Sequence, residues 1–336
     1  MAGGRSLKSG AHGRRKEDVM IGLIADIGGT NARFALADEH GTVRHSIRLA
    51  TSAFPSLAEA ATEALARLDA CEPIAAAVIA IAAPVVGRTA RMTNGSWVVD
   101  GHALAARFGW QSWRVINDFA AIAHAVPQLA ADGLLAPLDA PGDCWRDERT
   151  RLVLGPGTGL GVAMVREAGT AVLVQATEAG HVSFAPESEE EWALARDLTA
   201  RYGRVSVERI LSGPGLFTLY RWLGGSRANS PEAVAEAARE GAQPARRAAA
   251  WFLDILARFA GDMALAHGAW GGVLLTGGVW QGLLPLLDPA RFRHLFSAKG
   301  RYRPLLARTS LARIDHPDPG LVGSARLLAE LLQERG

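Results

Sequence analysis

Four short stretches of this chain carry residue types and spacings suited to chemistry. The first is Asp26 followed by Gly28-Gly29-Thr30-Asn31. Glycine has no Cβ and tolerates positive φ, so a guest can come close to the backbone. Thr30 and Asn31 add side-chain donors to consecutive N–H groups, a loop suited to a phosphate-like anion. Asp26 beside it suits a hydrated Mg²⁺, because hard cations take carboxylate and water oxygens. The second is the run from Gly155 to Gly161, GPGTGLG, in which Gly157, Thr158 and Gly159 offer the same features. It is no Walker A loop, and its G-x-G-x-G-x-G spacing ahead of a strand fails as a dinucleotide fingerprint. The third is Asn117-Asp118. A carboxylate at a strand end facing a cleft can accept a proton from an attacking hydroxyl, although an Asn-Asp pair ahead of a helix is also a common cap. The fourth is the set Glu178, His181 and Glu208, which with the Asn117 amide could hold several hydroxyls of a sugar. Taken singly, His181 reads as a satisfied structural histidine and Glu208 as a surface carboxylate. Their conjunction with the glycine loops favours a site.

These residues need rigid elements to bring them together. Apolar runs at 21–25 and 34–36 flank the first glycine turn, and runs at 151–154 and 162–165 flank the second. Each reads as a strand, a glycine turn and a returning strand, so the first is a β-hairpin. Two such units suggest two related domains, each giving a loop to one cleft. A third strand is expected at 43–49, a buried strand at 75–81, and a short strand at 113–116 that delivers Asn117 and Asp118. Ser56 with Glu59 and Ser188 with Glu191 have capping-box spacing, and Ser212-Gly213-Pro214 and Ser230-Pro231 place proline in a first helical turn. A helix is expected at 101–108. The segment 131–150 reads as loop. A strand at 171–175 precedes the loop that carries Glu178 and His181. The long helix at 244–267 bears Phe252, Ile255, Phe259 and Met263 at helical spacing, a core stripe. A strand at 272–276 ends in Gly277-Gly278, and a helix led by Gly320 runs to about Leu332. This alternation predicts a mixed α/β protein rather than a bundle.

Composition narrows the class. The chain has 336 residues, 49% hydrophobic and 21% charged, enough for a packed core and long enough to expect two domains. Formal net charge is +2, with the basic excess in residues 1–19, so no basic face calls for nucleic acid. That leader has no apolar core and reads as a flexible extension rather than a secretory signal. No run is long and apolar enough for a bilayer, so no membrane partner is expected. Cys71 and Cys144 are far apart without metal-ligand spacing, which fits a reducing cytoplasm.

The ordered set DIGGTNARFAL, INDFAA, GPGTGLGVA, EAGHVSFAP, VERILSGPGL and LLTGGV resembles bacterial glucokinases of the hexokinase-like, non-repressor type, from about residue 20 to 330. The resemblance implies an actin-like ATPase and sugar kinase fold, with two α/β domains around a cleft. The expected division is a small domain at 20–128, completed by the C-terminal helix at 319–336, and a large domain at 129–318. The implied activity is ATP-dependent phosphorylation of glucose at its 6-hydroxyl, with ATP and Mg²⁺, in the glycolysis of the cytoplasm. By motif, Asp118 resembles the base that takes the 6-hydroxyl proton, and Asn117, Asp118, Glu178, His181 and Glu208 resemble the glucose contacts. Gly28, Gly29, Thr30 and Asn31 with Gly157, Thr158 and Gly159 resemble the phosphate loops. Asp26 resembles the residue that meets Mg²⁺ through water, and Gly277-Gly278 the turn beside the adenosine. A homodimer is what the family suggests. Ala179 stands where many relatives carry glycine, and the leader matches nothing in the family core. The cysteine-rich zinc motif of the repressor/ORF/kinase branch is missing after His181, where VSFAP follows, and the short polar leader leaves no room for a helix-turn-helix module. A kinase of mannose or glucosamine and a glucose-binding sensor are the alternatives; Asp118 argues against the sensor, which has no need of a base.

Overall fold

A computed structural model describes residues 20–70, 73–92, 95–139, 150–169 and 171–334. The basic leader expected at 1–19 and both cysteines, Cys71 and Cys144, lie outside the described residues. The first sheet begins with β1 (Ile21–Ile27) and β2 (Asn31–Asp38), an antiparallel hairpin whose register sets Asp26 opposite Arg33. Then come β3 (Val43–Ala50), helix α1 (Leu57–Arg67) and the central strand β4 (Ala76–Ile81). Every residue of β4 is buried, as a parallel strand covered on both faces should be. Three very short strands, β5 (Val85–Val86), β6 (Thr89–Arg91) and β7 (Val98–Asp100), form a separate sheet before α2 (Gly101–Phe108) and β8 (Ser112–Asn117). The first sheet runs β3-β2-β1-β4-β8.

After α3 (Asp118–Ala131) come β9 (Leu135–Pro137), β10 (Thr150–Pro156), β11 (Leu160–Ala168) and β12 (Ala171–Thr177). The segment expected to be all loop thus contains β9. Its partner is β14 (Leu311–Ile314), so distant in sequence that no local pattern could announce the pairing. Pro137 is tolerated because β9 is an edge strand. The helices α4 (Glu189–Tyr202), α5 (Gly213–Trp222), α6 (Pro231–Arg239) and α7 (Gln243–His267) follow. Then β13 (Gly272–Leu275) leads to the short helices α8 (Gly278–Leu283), α9 (Pro289–Ser297) and α10 (Arg303–Arg308), before β14 and the closing α11 (Pro319–Gln333). The second sheet runs β12-β11-β10-β13-β14-β9. The stripe Phe252, Ile255, Phe259 and Met263 of α7 lies in its core with Leu154 and Val273.

Two helices cross between the sheets. The apolar face of α3, with Ala123, Val126 and Leu129, packs on Val153, Ala163 and Leu274 of the second sheet, although the strand that delivers α3 belongs to the first. Conversely, α11 comes last in the chain and buries Leu321, Ala325 and Leu328 on Ile24, Ala35 and Val78 of the first sheet. The two helices touch so closely that a Cβ on Gly323 would stand 1.8 Å from the Ala121 carbonyl oxygen. Leu328 is fully buried in this contact, against Gly22. Leu328→Ala is therefore expected to cost about 2–5 kcal/mol of stability, read as a lower urea midpoint; an unchanged midpoint would show that α11 does not hold the first sheet.

Candidate active site

Strands β1, β8 and β10 end on one side of the molecule, and their terminal turns open into a cleft of about 380 Å³. Asp26, Gly28, Gly29, Asn117, Asp118, Gly157, Thr158, Gly159, Glu178, His181, Glu208, Gly277 and Gly278 all line it. Thr30 and Asn31 do not. They end the first turn, where the Thr30 carbonyl accepts from Thr51 N at 3.0 Å and the Asn31 carbonyl accepts from Gly28 N at 2.9 Å. The second turn closes in the same way, Gly157 N donating to the Gly159 carbonyl at 2.8 Å. The first amide of each turn is thus used within it. Gly28 is not left-handed; its value is space, since a Cβ there would stand 3.3 Å from the Asn31 carbonyl oxygen.

Asn117 is the N-cap of α3. Its side-chain oxygen accepts from Phe119 N at 2.9 Å and Ala120 N at 3.2 Å, while its amide donates to the Ala83 carbonyl at 3.3 Å. The capping role therefore belongs to Asn117 and leaves Asp118, the first helical residue, turned to the cleft. Asp118 accepts from Phe119 N at 3.0 Å. Desolvation by its surroundings, reinforced by the negative charges of Asp26 and Glu178, pushes its carboxyl up to about 7. That value is suited to a base that works near neutrality.

Across the cleft His181 Nε2 lies 3.9 Å from Glu178 Oε2 and 3.9 Å from Glu208 Oε1. The Glu178 and His181 side chains are 48% and 47% exposed, so they face the cleft rather than the core. Burial still raises the Glu178 carboxyl above its ordinary value, opposed by His181. Glu208 also ties down the second glycine turn. Its Oε2 accepts from Leu160 N at 2.9 Å, just past Gly157–Gly159. A Cβ on Gly159 would stand 2.5 Å from that oxygen.

The outer glycines of GPGTGLG, which also line the cleft, make room for packing. Gly155 and Gly161 are register partners across β10 and β11, and the Phe119 ring lies over the gap between them. A Cβ on Gly161 would be 1.9 Å from the ring, and one on Gly155 2.8 Å. Gly277 has φ +99°, and a Cβ there would meet the Pro156 carbonyl oxygen at 2.5 Å. Here glycine is required for both conformation and space.

Beside Asp26 lies a charged chain the sequence reading missed. Arg33 Nη1 donates to Asp26 Oδ2 at 3.2 Å, and Arg33 Nε is ion-paired with Asp318 Oδ1 at 2.9 Å without hydrogen-bond geometry. Burial raises the Asp26 carboxyl, and Arg33 counteracts it. Asp318 precedes α11, yet its side chain makes no capping bond; its amide instead donates to His316 Nδ1 at 3.1 Å. Arg33, His316 and Asp318 all line the cleft. Among the described residues, no three His, Cys, Asp or Glu side chains are grouped to hold a metal by themselves. Asp26, sharing one oxygen with Arg33, fits a magnesium ion that keeps most of its ligands from water and phosphate.

The family model for glucokinase matches residues 23–331. The glucokinase of Chromohalobacter salexigens is 43% identical over 91% of this chain and 97% of its own. That of Marinobacter nauticus is 39% identical over 91% and 96%. The crystal structure of glucokinase from an Antarctic psychrotroph superposes with a TM-score of 0.76 at 29% identity, covering 92% of this chain and 99% of that one.

The chain belongs to the glucokinase family.

The architecture is accordingly that of the actin-like ATPase and sugar kinase fold, and the glucokinase motifs converge on its cleft. Arg33 was within reach of the sequence. Once the GGTN turn is read as a hairpin, counting back from it sets Arg33 opposite Asp26, and a cross-strand opposite-charge pair is a standard device. Asp318-Pro319 carries the signal of a helix start, but nothing local says that Asp318 turns to Arg33 instead of capping. Among the described residues no helix is long and apolar enough to cross a membrane.

Proposed function

We propose that the cleft transfers the γ-phosphoryl group of ATP to the 6-hydroxyl of D-glucose, with Asp118 as general base. The observation that carries this reading is that Asp118 lines one cleft together with the two glycine turns and the Glu178, His181 and Glu208 cluster, its carboxyl raised to about 7. In the reading, Asn117, Glu178, His181 and Glu208 hold the sugar hydroxyls and orient the 6-hydroxyl towards Asp118. As the oxygen attacks the γ-phosphorus, its proton passes to the Asp118 carboxylate, the bond to the bridging oxygen breaks, and ADP departs. The amides of Gly29, Thr158 and Gly159 cradle the phosphates, with Gly28 making room beside them, and Gly277-Gly278 flank the nucleoside. Asp26 would hold Mg²⁺ through water, and the bound ion would supply positive charge against the phosphates. In such transfers the protein mainly positions groups and balances charge. The setting is the cytoplasm, in glycolysis, and the assembly a homodimer.

A coupled assay of ADP release over a panel of hexoses tests the reaction. Glucose is expected to be the preferred acceptor; release that does not depend on any hexose would overturn the reading. Within it, Glu178→Gln is expected to raise the glucose KM by roughly tenfold, because a site group that loses its hydroxyl partner is left unsatisfied. A Glu178→Gln enzyme with the parent's KM would move the sugar site elsewhere.

A further inference from the structure

We infer that Arg204 is a positioning residue for the sugar site that fixes His181 in place. The inference rests on the reading of His181 as a glucose contact. Helix α4 ends at Gly203, whose φ of +75° turns the chain away from the helix axis. The next residues run antiparallel to the segment after His181. Phe184 N donates to the Val205 carbonyl at 3.0 Å, Val207 N donates to the Val182 carbonyl at 2.9 Å, and Ser183 faces Ser206. Two residues further along the same register His181 faces Glu208, which explains how side chains so distant in sequence come within 3.9 Å.

This ladder stops one residue short of His181. The His181 carbonyl has no partner strand to its outside among the described residues, and Arg204 takes that place. Its Nη2 donates to the His181 carbonyl at 2.7 Å and to Ser183 Oγ at 3.3 Å. The neighbouring arginines are engaged differently: Arg201 and Arg209 lie over the Tyr202 ring, at 4.9 and 4.3 Å from its centroid. Arg204 is exposed, and its hydrogen bonds go to the sugar-side loop rather than to a carboxylate. A charged donor makes a stronger, more directional bond to a carbonyl than a neutral one. The bond fixes the peptide after His181 and, with it, the direction of the imidazole. Removing the guanidinium leaves that peptide held only through Val182 N, which donates to the Ala179 carbonyl at 3.2 Å, without touching the ladder beneath it.

The test compares Arg204→Ala, Arg204→Lys, His181→Ala and the double variant Arg204→Ala/His181→Ala, each assayed for glucose and ATP kinetics. Arg204→Ala is expected to raise the glucose KM by about tenfold, the effect of losing one charge-assisted hydrogen bond, with the ATP KM unchanged. Arg204→Lys, which keeps one charged donor, is expected to fall between parent and alanine variant. The double variant is expected to be no worse than His181→Ala alone, because residues that act through one another are not additive. Equal rises in the glucose and ATP KM, independent effects that multiply in the double variant, or an Arg204→Ala enzyme with the parent's glucose KM would each overturn the inference. His181→Ala separates this failure from that of the proposed site. If it raises the glucose KM while Arg204→Ala does not, only the role of Arg204 falls; if it is silent, the sugar site falls and the role of Arg204 with it.

Discussion

Replacing Asp118 with asparagine is expected to lower kcat by roughly 10²–10⁴, the scale of general-base catalysis, while glucose binding at equilibrium changes little. The substitution isolates the base because it disturbs so little else. Asn117, not Asp118, caps α3, and an asparagine oxygen at 118 can still accept from Phe119 N. The parent's kcat/KM for glucose is expected to rise with pH, reach half its maximum near 7, where half the carboxyls are ionised, and level off about a pH unit higher. The variant should lack that rise. Stability should move the opposite way. The folded protein keeps the Asp118 proton up to about pH 7, whereas the unfolded chain releases it near 3.8. The unfolded state therefore binds fewer protons in this window, and the parent loses stability as pH rises through it. Asp118→Asn should melt above the parent at pH 8, by a margin that shrinks to nothing as pH falls towards 4. A variant that is both active and no more stable at pH 8 would remove the base from the mechanism and the strain from the site.

Gly161→Ala is expected to be nearly as damaging, although position 161 is not assigned to any ligand. The new methyl would fall within the Phe119 ring, at 1.9 Å from its nearest carbon. Overpacking of this kind costs about 1–3 kcal/mol. Because the base of the ring, Cγ, would also stand 2.4 Å from the methyl, the strain falls on the first turn of α3, which carries Asp118. A misplacement of about 1 Å in such a group can cost about 10² in rate. The drop should appear in kcat together with a lower urea midpoint, and adding Phe119→Leu should restore part of both. Parent-like kcat and midpoint in the single variant would show that the ring does not set the position of Asp118.

The elements around the site were legible because their signals are local. The hairpin of β1 and β2, the buried run of β4 and the strand ending in Asn117 follow from hydrophobic pattern and turn residues within a few positions of one another. Ser56, Ser188, Ser212 and Ser230 all accept the N3 amide of the helix they open, as their spacing implies. What stayed hidden is what depends on distant partners. The strand β9 exists only because β14 lies beside it. The three strands β5 to β7 are two or three residues long, too short for any period to show. The motif GPGTGLG was legible as a glycine turn, but not its division of labour. The turn occupies only Gly157 to Gly159, while Gly155 and Gly161 make room for a ring from another sheet's helix. Glu208 could be read as a sugar contact from its motif, but its bond to Leu160 N depends on a fold that closes 48 residues of chain.

The seating of Phe119 over Gly155 and Gly161 also limits how this chain can drift. A mutation at any one of the three positions is judged against the other two, although 155 and 161 stand well apart from 119 in the sequence. A side chain gained at 161 survives only if residue 119 has already shrunk, and a smaller residue at 119 leaves a hole until a glycine is filled. Either first step is expected to be harmful alone. The common engineering practice of replacing glycine with alanine to stiffen the unfolded chain would fail at 161 unless 119 were redesigned in the same round, and at 155 even then, because a Cβ there would also stand 2.8 Å from the Thr276 carbonyl oxygen.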